Sequence, residues 1–259
     1  MNAFLVIFTR ELQTAFLNRL VLVFCGVCLL AGGIPVWADP GRDFSETALY
    51  ALLQAGLYLI PLFAILIGVG SAQNEQEEHL LLMSQPMNRG TRVWGKFAAL
   101  GVLVAAAVLL LVLPAAIAGC RLGALGFLWF HILGVGGVFL ALGLAVGFSG
   151  TDRVKAHMVG LSVWLILLAG WNVLALVAAQ FSGVQPWPQV WVSLLMINPL
   201  DALRISTMFS LDKIPFEVGT APALAQWWLE HLSLWFVILC LVWIAAALAW
   251  SRFQIERAE

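Results

Sequence analysis

From Phe97 to Cys120 the chain reads FAALGVLVAAAVLLLVLPAAIAGC, twenty-four residues without Asp, Glu, Lys or Arg, bounded by Lys96 and Arg121. A bilayer core about 30 Å thick is crossed by about 20 apolar helical residues, so the stretch is long enough to span. Its dozen Leu, Ile, Val and Phe residues each favour insertion at mid-helix by roughly 0.3–0.6 kcal/mol. A barrel strand would alternate apolar and polar residues, and this stretch does not. Backbone groups in lipid must be bonded within their own segment, so the stretch is a helix.

Five more uncharged stretches of similar length flank it: Leu20–Ala38, Ala48–Gly70, Leu122–Phe148, Met158–Phe181 and Leu232–Ser251. The chain as a whole is 62% hydrophobic and 10% charged, where a soluble domain carries about a quarter charged residues. Residues 1–259 are therefore expected to form one all-α polytopic membrane domain with six transmembrane helices. The first stretch ends in Val36 and Ala38, which resemble a signal-peptide cleavage site. Glu11 precedes it, and removing it would leave an odd number of spans and upset the charge bias, so it is read as a retained helix.

Charge placement orients the bundle. With the N-terminus inside, the inner segments hold Arg10, Arg19, Arg89, Arg92, Lys96, Arg153, Lys155, Arg252 and Arg257, against Arg42, Arg121, Arg204 and Lys213 outside. That bias predicts cytoplasmic N- and C-termini in a bacterial plasma membrane. The basic residues are scattered, which argues against nucleic acid as a partner. Cys25 and Cys28 lie in an apolar helix with no second pair or His to complete a metal site, and Cys120 and Cys240 are read as small hydrophobes too.

Between the spans, three segments carry the polar information. Residues 1–19 place Phe4, Phe8, Leu12 and Phe16 four apart among Arg10, Glu11, Gln13 and Asn18, the pattern of an amphipathic interfacial helix. Residues 71–96 form the main cytoplasmic segment, with Glu75, Glu77 and Glu78 first and Arg89, Arg92 and Lys96 later. Glu75–Ser84 reads as a short helix with acids in its first turn and Pro86 closing it. Residues 182–230 form a long extracytoplasmic segment, apolar between Pro186 and Pro199 but too short to cross, which predicts a re-entrant or interfacial hairpin between helices five and six. Trp37, Trp227 and Trp228 near outer ends and Trp94 near an inner end read as interfacial anchors.

Catalytic motifs are thin. No G-x-x-x-x-G-K-[ST] loop occurs, so ATP has to be bound elsewhere. Ser149 and His157 resemble fragments of a rhomboid protease but stand eight residues apart beside a charged turn, with no oxyanion donors suggested. Glu77 and Glu78 resemble the paired glutamates of CAAX-type proteases, yet Leu82 stands where that family has Arg. No charged residue lies deep in a span, against a proton relay. His131, Asn172 and Gln180 are the polar exceptions and read as inter-helix hydrogen bonders. Gly143/Gly147 and Gly119/Gly123 make two G-x-x-x-G pairs that would let helices approach closely.

Three stretches carry a family resemblance. Glu77-Glu78, Leu81-Leu82, Pro86, Arg89 and Gly95-Lys96 look like the loop between helices two and three of type-two ABC exporter permeases. Phe8-Thr9-Arg10-Glu11-Leu12 with Leu17-Asn18-Arg19 is similar to that family's elbow helix. Ile197-Asn198-Pro199-Leu200-Asp201-Ala202-Leu203-Arg204 resembles a segment after the fifth helix in the NosY-like subfamily, which serves copper-site maturation of nitrous oxide reductase.

The resemblance covers nearly the whole chain, while Gln73-Asn74-Glu75-Gln76 and the Trp-rich outer segment depart from that subfamily. It implies a non-enzymatic permease that exports a substrate by alternating access, paired with a second permease copy and with ATPase subunits that bind the ATP. Glu75, Glu77, Glu78, Leu81, Leu82, Pro86 and Arg89 would couple to the ATPase, Arg10 and Glu11 would tether the elbow, and Asn198, Pro199, Asp201 and Arg204 would mark the outer segment, where a periplasmic accessory protein could dock. The competing class is a membrane anchor or assembly factor that binds an extracytoplasmic protein through Ser182 to Glu230.

Overall fold

The computed structural model describes residues 3–16, 18–38, 44–77, 89–150, 152–181, 188–212 and 231–258. Nearly all of these are helical and none is in a strand. A first helix, α1 (Ala3–Phe16), is followed by α2 (Arg19–Ala38), α3 (Phe44–Glu77), α4 (Arg89–Ile117) and α5 (Leu122–Ser149). Then come α6 (Arg153–Leu165), a π-helical turn (Ile166–Gly170), α7 (Trp171–Gln180), two short helices α8 (Pro188–Ile197) and α9 (Pro199–Asp212), and α10 (Leu232–Ala258). Six of these helical stretches are long and apolar enough to cross a bilayer: α2, α3, α4, α5, the continuous run of α6, π turn and α7, and α10. They are spans one to six.

Spans two and four form the centre. Lipid tails are as apolar as leucine, so helices in a membrane associate through close van der Waals packing and hydrogen bonds. Small residues supply the closeness here. A Cβ on Gly143 would collide with the Ile65 carbonyl oxygen, one on Gly68 would lie 2.7 Å from the Leu140 carbonyl oxygen, and one on Gly147 would lie 2.5 Å from Ala72 Cβ. Gln73, fully buried, closes the end of this seam by donating through Nε2 to the carbonyls of Gly147 (2.5 Å) and Gly150 (2.8 Å). The second G-x-x-x-G pair does none of this. Gly119 and Gly123 have open space where a side chain would stand, and Gly119 is a turn residue at φ 91° between spans three and four.

Around this centre, span six packs on span four, span one on span three, and α1 on span three. Span one also touches span two. Trp250 of span six donates to Ser149 Oγ (3.0 Å), while Ser149 itself bonds the Ala145 carbonyl and His157 sits on the Arg153 carbonyl. Both polar groups of the protease-like fragment are thus engaged by their own helices. His131 bonds the Phe127 carbonyl of its own helix at 2.8 Å and stacks on Phe127 and Phe236, so its hydrogen bond lies within span four and not between helices as expected, while its ring makes the contact to span six.

The segment expected as loop is helical at both ends. Ser71–Glu77 continues span two, so Glu75 and Glu77 finish a long helix and do not open a separate one. Arg89 already belongs to span three. Glu78, Leu81, Leu82 and Pro86 lie outside the described residues, as do residues 182–187 and 213–230 of the segment expected outside.

A bulky residue at the central seam should therefore act differently from one at the turn. Gly143→Val is expected to cost about 2 kcal/mol or more through overpacking and to lower the melting temperature of the purified protein in detergent. Gly123→Ala, at a site with nothing within reach, should leave that temperature unchanged.

Candidate functional site

Lys96 is the most deeply placed cation among the described residues, its side chain 4% exposed near the start of span three. An unpaired ammonium there would carry a desolvation cost of several kcal/mol. Its Nζ lies 2.6 Å from Glu11 Oε1 on α1 and 3.1 Å from Glu75 Oε2 near the end of span two. It also donates to Ser71 Oγ (3.1 Å) and to the Ser71 carbonyl (3.3 Å), and Ser71 Oγ donates to Glu11 Oε2 (3.1 Å). Both carboxylates are themselves largely buried, at 15% and 11% exposure. One ammonium thus holds three chain segments together.

Local sequence explains how they meet. Gly95 lets α1 approach span three, since a Cβ there would stand 2.9 Å from Ile7 Cγ2. The next residue, Lys96, then reaches under α1 to Glu11. The Gly-Lys pair is a close-approach residue followed by its ion-pairing neighbour. Beside it lies a cavity of about 290 Å³ between α1 and spans one to three, lined by Arg10, Asn18, Asn74 and Arg92 as well as the ion cluster. Arg10 and Glu11, expected to tether an elbow, and Glu75, expected to couple to an ATPase, are thus brought to one place. The segment 78–88 connects the two helices, spans two and three, that the cluster ties.

A second polar site lies toward the opposite face, at the turn between α8 and α9. A helix leaves its last four carbonyls open, and those of α8 are all met. Trp171 Nε1 donates to Leu194 O (2.8 Å), the Asn198 amide N–H to Leu195 O (3.2 Å), Trp235 Nε1 to Met196 O (3.0 Å) and Trp243 Nε1 to Ile197 O (3.1 Å). Three indoles from spans five and six therefore cap one short helix.

Asn198 then starts α9. Its Oδ1 accepts from the Leu200 N–H (3.2 Å), and Pro199 follows at the first helical position, where its missing N–H costs nothing. Its Nδ2 donates to Asp201 Oδ2 (2.6 Å) and, across to span five, to the Leu167 carbonyl in the π turn (2.7 Å). Asp201 also stands 3.8 Å from Arg204 Nη1. Leu167 lies thirteen residues before Gln180 and Trp243 eleven after Leu232, about 20 and 16 Å along their helices. The four outer-segment residues singled out in the sequence converge at this depth. Trp171, Trp235 and Trp243 were not singled out. Trp243, far from either end of its span, carried the signal, because an interfacial belt gives no reason for an indole there.

Six candidate spans carrying two helix-bound polar sites, one ionic and one built of capped helix ends, define a polytopic membrane domain. The chain belongs to the ABC-2 family of transporter proteins, whose family model matches residues 7–257. It is similar to the probable ABC transporter permease protein NosY of Pseudomonas aeruginosa, at 29% identity over an alignment covering 96% of each chain. It is also similar to the protein of the same name from Stutzerimonas stutzeri, at 24% identity over 98% of this chain and 99% of that one. The chain is thus an ABC transporter permease, a membrane transport subunit.

Removing the central ammonium should expose what it holds. Lys96→Met leaves Glu11 and Glu75 facing each other with little water, and is expected to lower stability by about 3–5 kcal/mol. Thermal unfolding in detergent reads the loss directly; a melting temperature equal to that of the native chain would show that the cluster contributes nothing.

Proposed function

We propose that this permease exports its substrate by alternating access, driven by a separate ATPase that docks on the segment between spans two and three. The carrying observation is the Lys96 cluster. It ties α1 to the two helices that flank residues 78–88, so a push on that segment moves the elbow and both spans together. On this reading Glu77, Glu78, Leu81, Leu82, Pro86 and Arg89 meet the ATPase, and Glu75, turned inward to Lys96, anchors the contact to the bundle. Arg10 and Glu11 hold the elbow helix at the membrane surface.

The same reading sets both termini in the cytoplasm of a bacterial inner membrane, as the charge bias favours. The α8–α9 pair is then a re-entrant hairpin from the extracytoplasmic side, supported by the depth at which Asn198 meets Leu167. A second permease copy would cover apolar surface left bare on span five, where Leu161, Leu165, Val173 and Leu176 are exposed. A narrower role, in copper-site maturation of nitrous oxide reductase with a periplasmic accessory protein, rests on the resemblance to NosY alone.

The test is co-expression with the ATP-binding subunit encoded nearest to this chain. Co-elution with ATPase activity in lipid is expected, and Glu77→Ala/Glu78→Ala should reduce that activity or the assembly severalfold. A chain that elutes alone would favour the anchor reading, and full activity of an intact double variant would remove the two glutamates from the contact.

A further inference from the structure

Span five is held differently in its two halves. The first half, α6, packs on spans two and four, and Gly160 lies against Val69 and Ile65 of span two. The second half, α7, packs chiefly on the short helix α8, and α8 in turn on α7 and α9. Among the described residues of α7, Val173, Leu174, Leu176 and Val177 are exposed, and Ala175 is the one buried. The two halves join at the π turn Ile166–Gly170. A π turn inserts a residue into the helix, shifts the hydrogen-bond ladder and recurs at functional sites in helices.

The bonds between span five and the hairpin cluster at this joint. Asn198 Nδ2 takes the Leu167 carbonyl inside the π turn, and Trp171 immediately after it caps α8 at Leu194. A side chain that bonds into the ladder is one of the recognised causes of a break in a helix. Beyond the joint α7 and α8 lean on each other, α8 being tied to span six at its last two residues next to Asn198 by Trp235 and Trp243, while α9 is fixed to spans two, four and six.

We infer that α7 and α8 form one hinged flap, with the π turn as its hinge and Asn198 as the pin that fixes its angle, and that this flap is the moving gate of the permease at the face opposite the termini. The gate role rests on the transporter reading proposed above, whereas the hinge does not. Asn198 is a positioning residue here: it acts through the Leu167 carbonyl and not on a substrate. Its second role, capping α9, is separable from the first. Serine caps about as well as asparagine, but its side chain is too short to span from the α9 cap to Leu167.

The test uses the full chain in lipid nanodiscs with Cys25, Cys28, Cys120 and Cys240 replaced by Ala, diluted with unlabelled chain. One spin-label pair joins exposed positions Leu176 and Ile117 across the flap, and a second joins Met158 and Phe253 at the other end of span five. Without any ATPase, Asn198→Ser should shift or broaden the first distance by several ångströms and leave the second alone. Equal changes in both pairs, or in neither, would overturn the hinge. Asn198→Thr, which also caps a helix and is likewise too short to reach Leu167, gives the same reading should the serine variant not fold. With the ATPase bound and nucleotide trapped, the first distance should change again in the native chain. A complex that hydrolyses ATP without that change refutes the gate, while failure to form a complex refutes the transporter reading and leaves the hinge result standing.

Discussion

A carbonyl left open inside a bilayer has no water to turn to, and in this chain several helix ends and one break are closed by side chains reaching from other helices. Gln73 on span two finishes span four, three tryptophans on spans five and six finish α8, and Asn198 takes the carbonyl freed by the π turn. Each bond closes a helix end and also fixes where that end lies against its neighbour. Helices that have no hydrophobic force to bring them together in lipid are placed by these bonds and by glycine contacts. The architecture follows from that one requirement.

Much of the fold was legible because length and missing charge are one-dimensional properties. Six uncharged stretches became six helices long and apolar enough to span. Pairings across the bundle were not legible. Gly143/Gly147 and Gly119/Gly123 have identical spacing, yet only the first meets a neighbouring helix, and nothing in the spacing tells which. Lys96 read as one more positive charge in an inner segment. Its partner Glu11 stands eighty-five residues away, and burial of the pair depends on Gly95 letting α1 come close. The helical start of the coupling segment was misread for a related reason. Acids at Glu75 and Glu77 suit a helix N-terminus by the dipole rule, but here Glu75 is paired with Lys96 near the end of a span that continues through it.

The two polar sites differ in kind, and the difference bears on what each can do. The cluster at the terminal face is ionic and buried. Breaking a buried ion pair by losing one partner costs about 3–5 kcal/mol, so the three segments that meet at Lys96 behave as one body. The hairpin site is built of hydrogen bonds that are mostly neutral, each worth about 1 kcal/mol net, and these can be exchanged one at a time. Between them, spans two and four lie in glycine contact too close to slide. On the proposed reading, a load applied beside Lys96 would be carried through the bundle, and strain would be released most cheaply where single hydrogen bonds hold a helix end. Coupling between distant sites requires a stiff connection and an element with more than one arrangement. In this chain the stiff part is ionic and glycine-packed, and the yielding part is the joint where Asn198 meets the π turn.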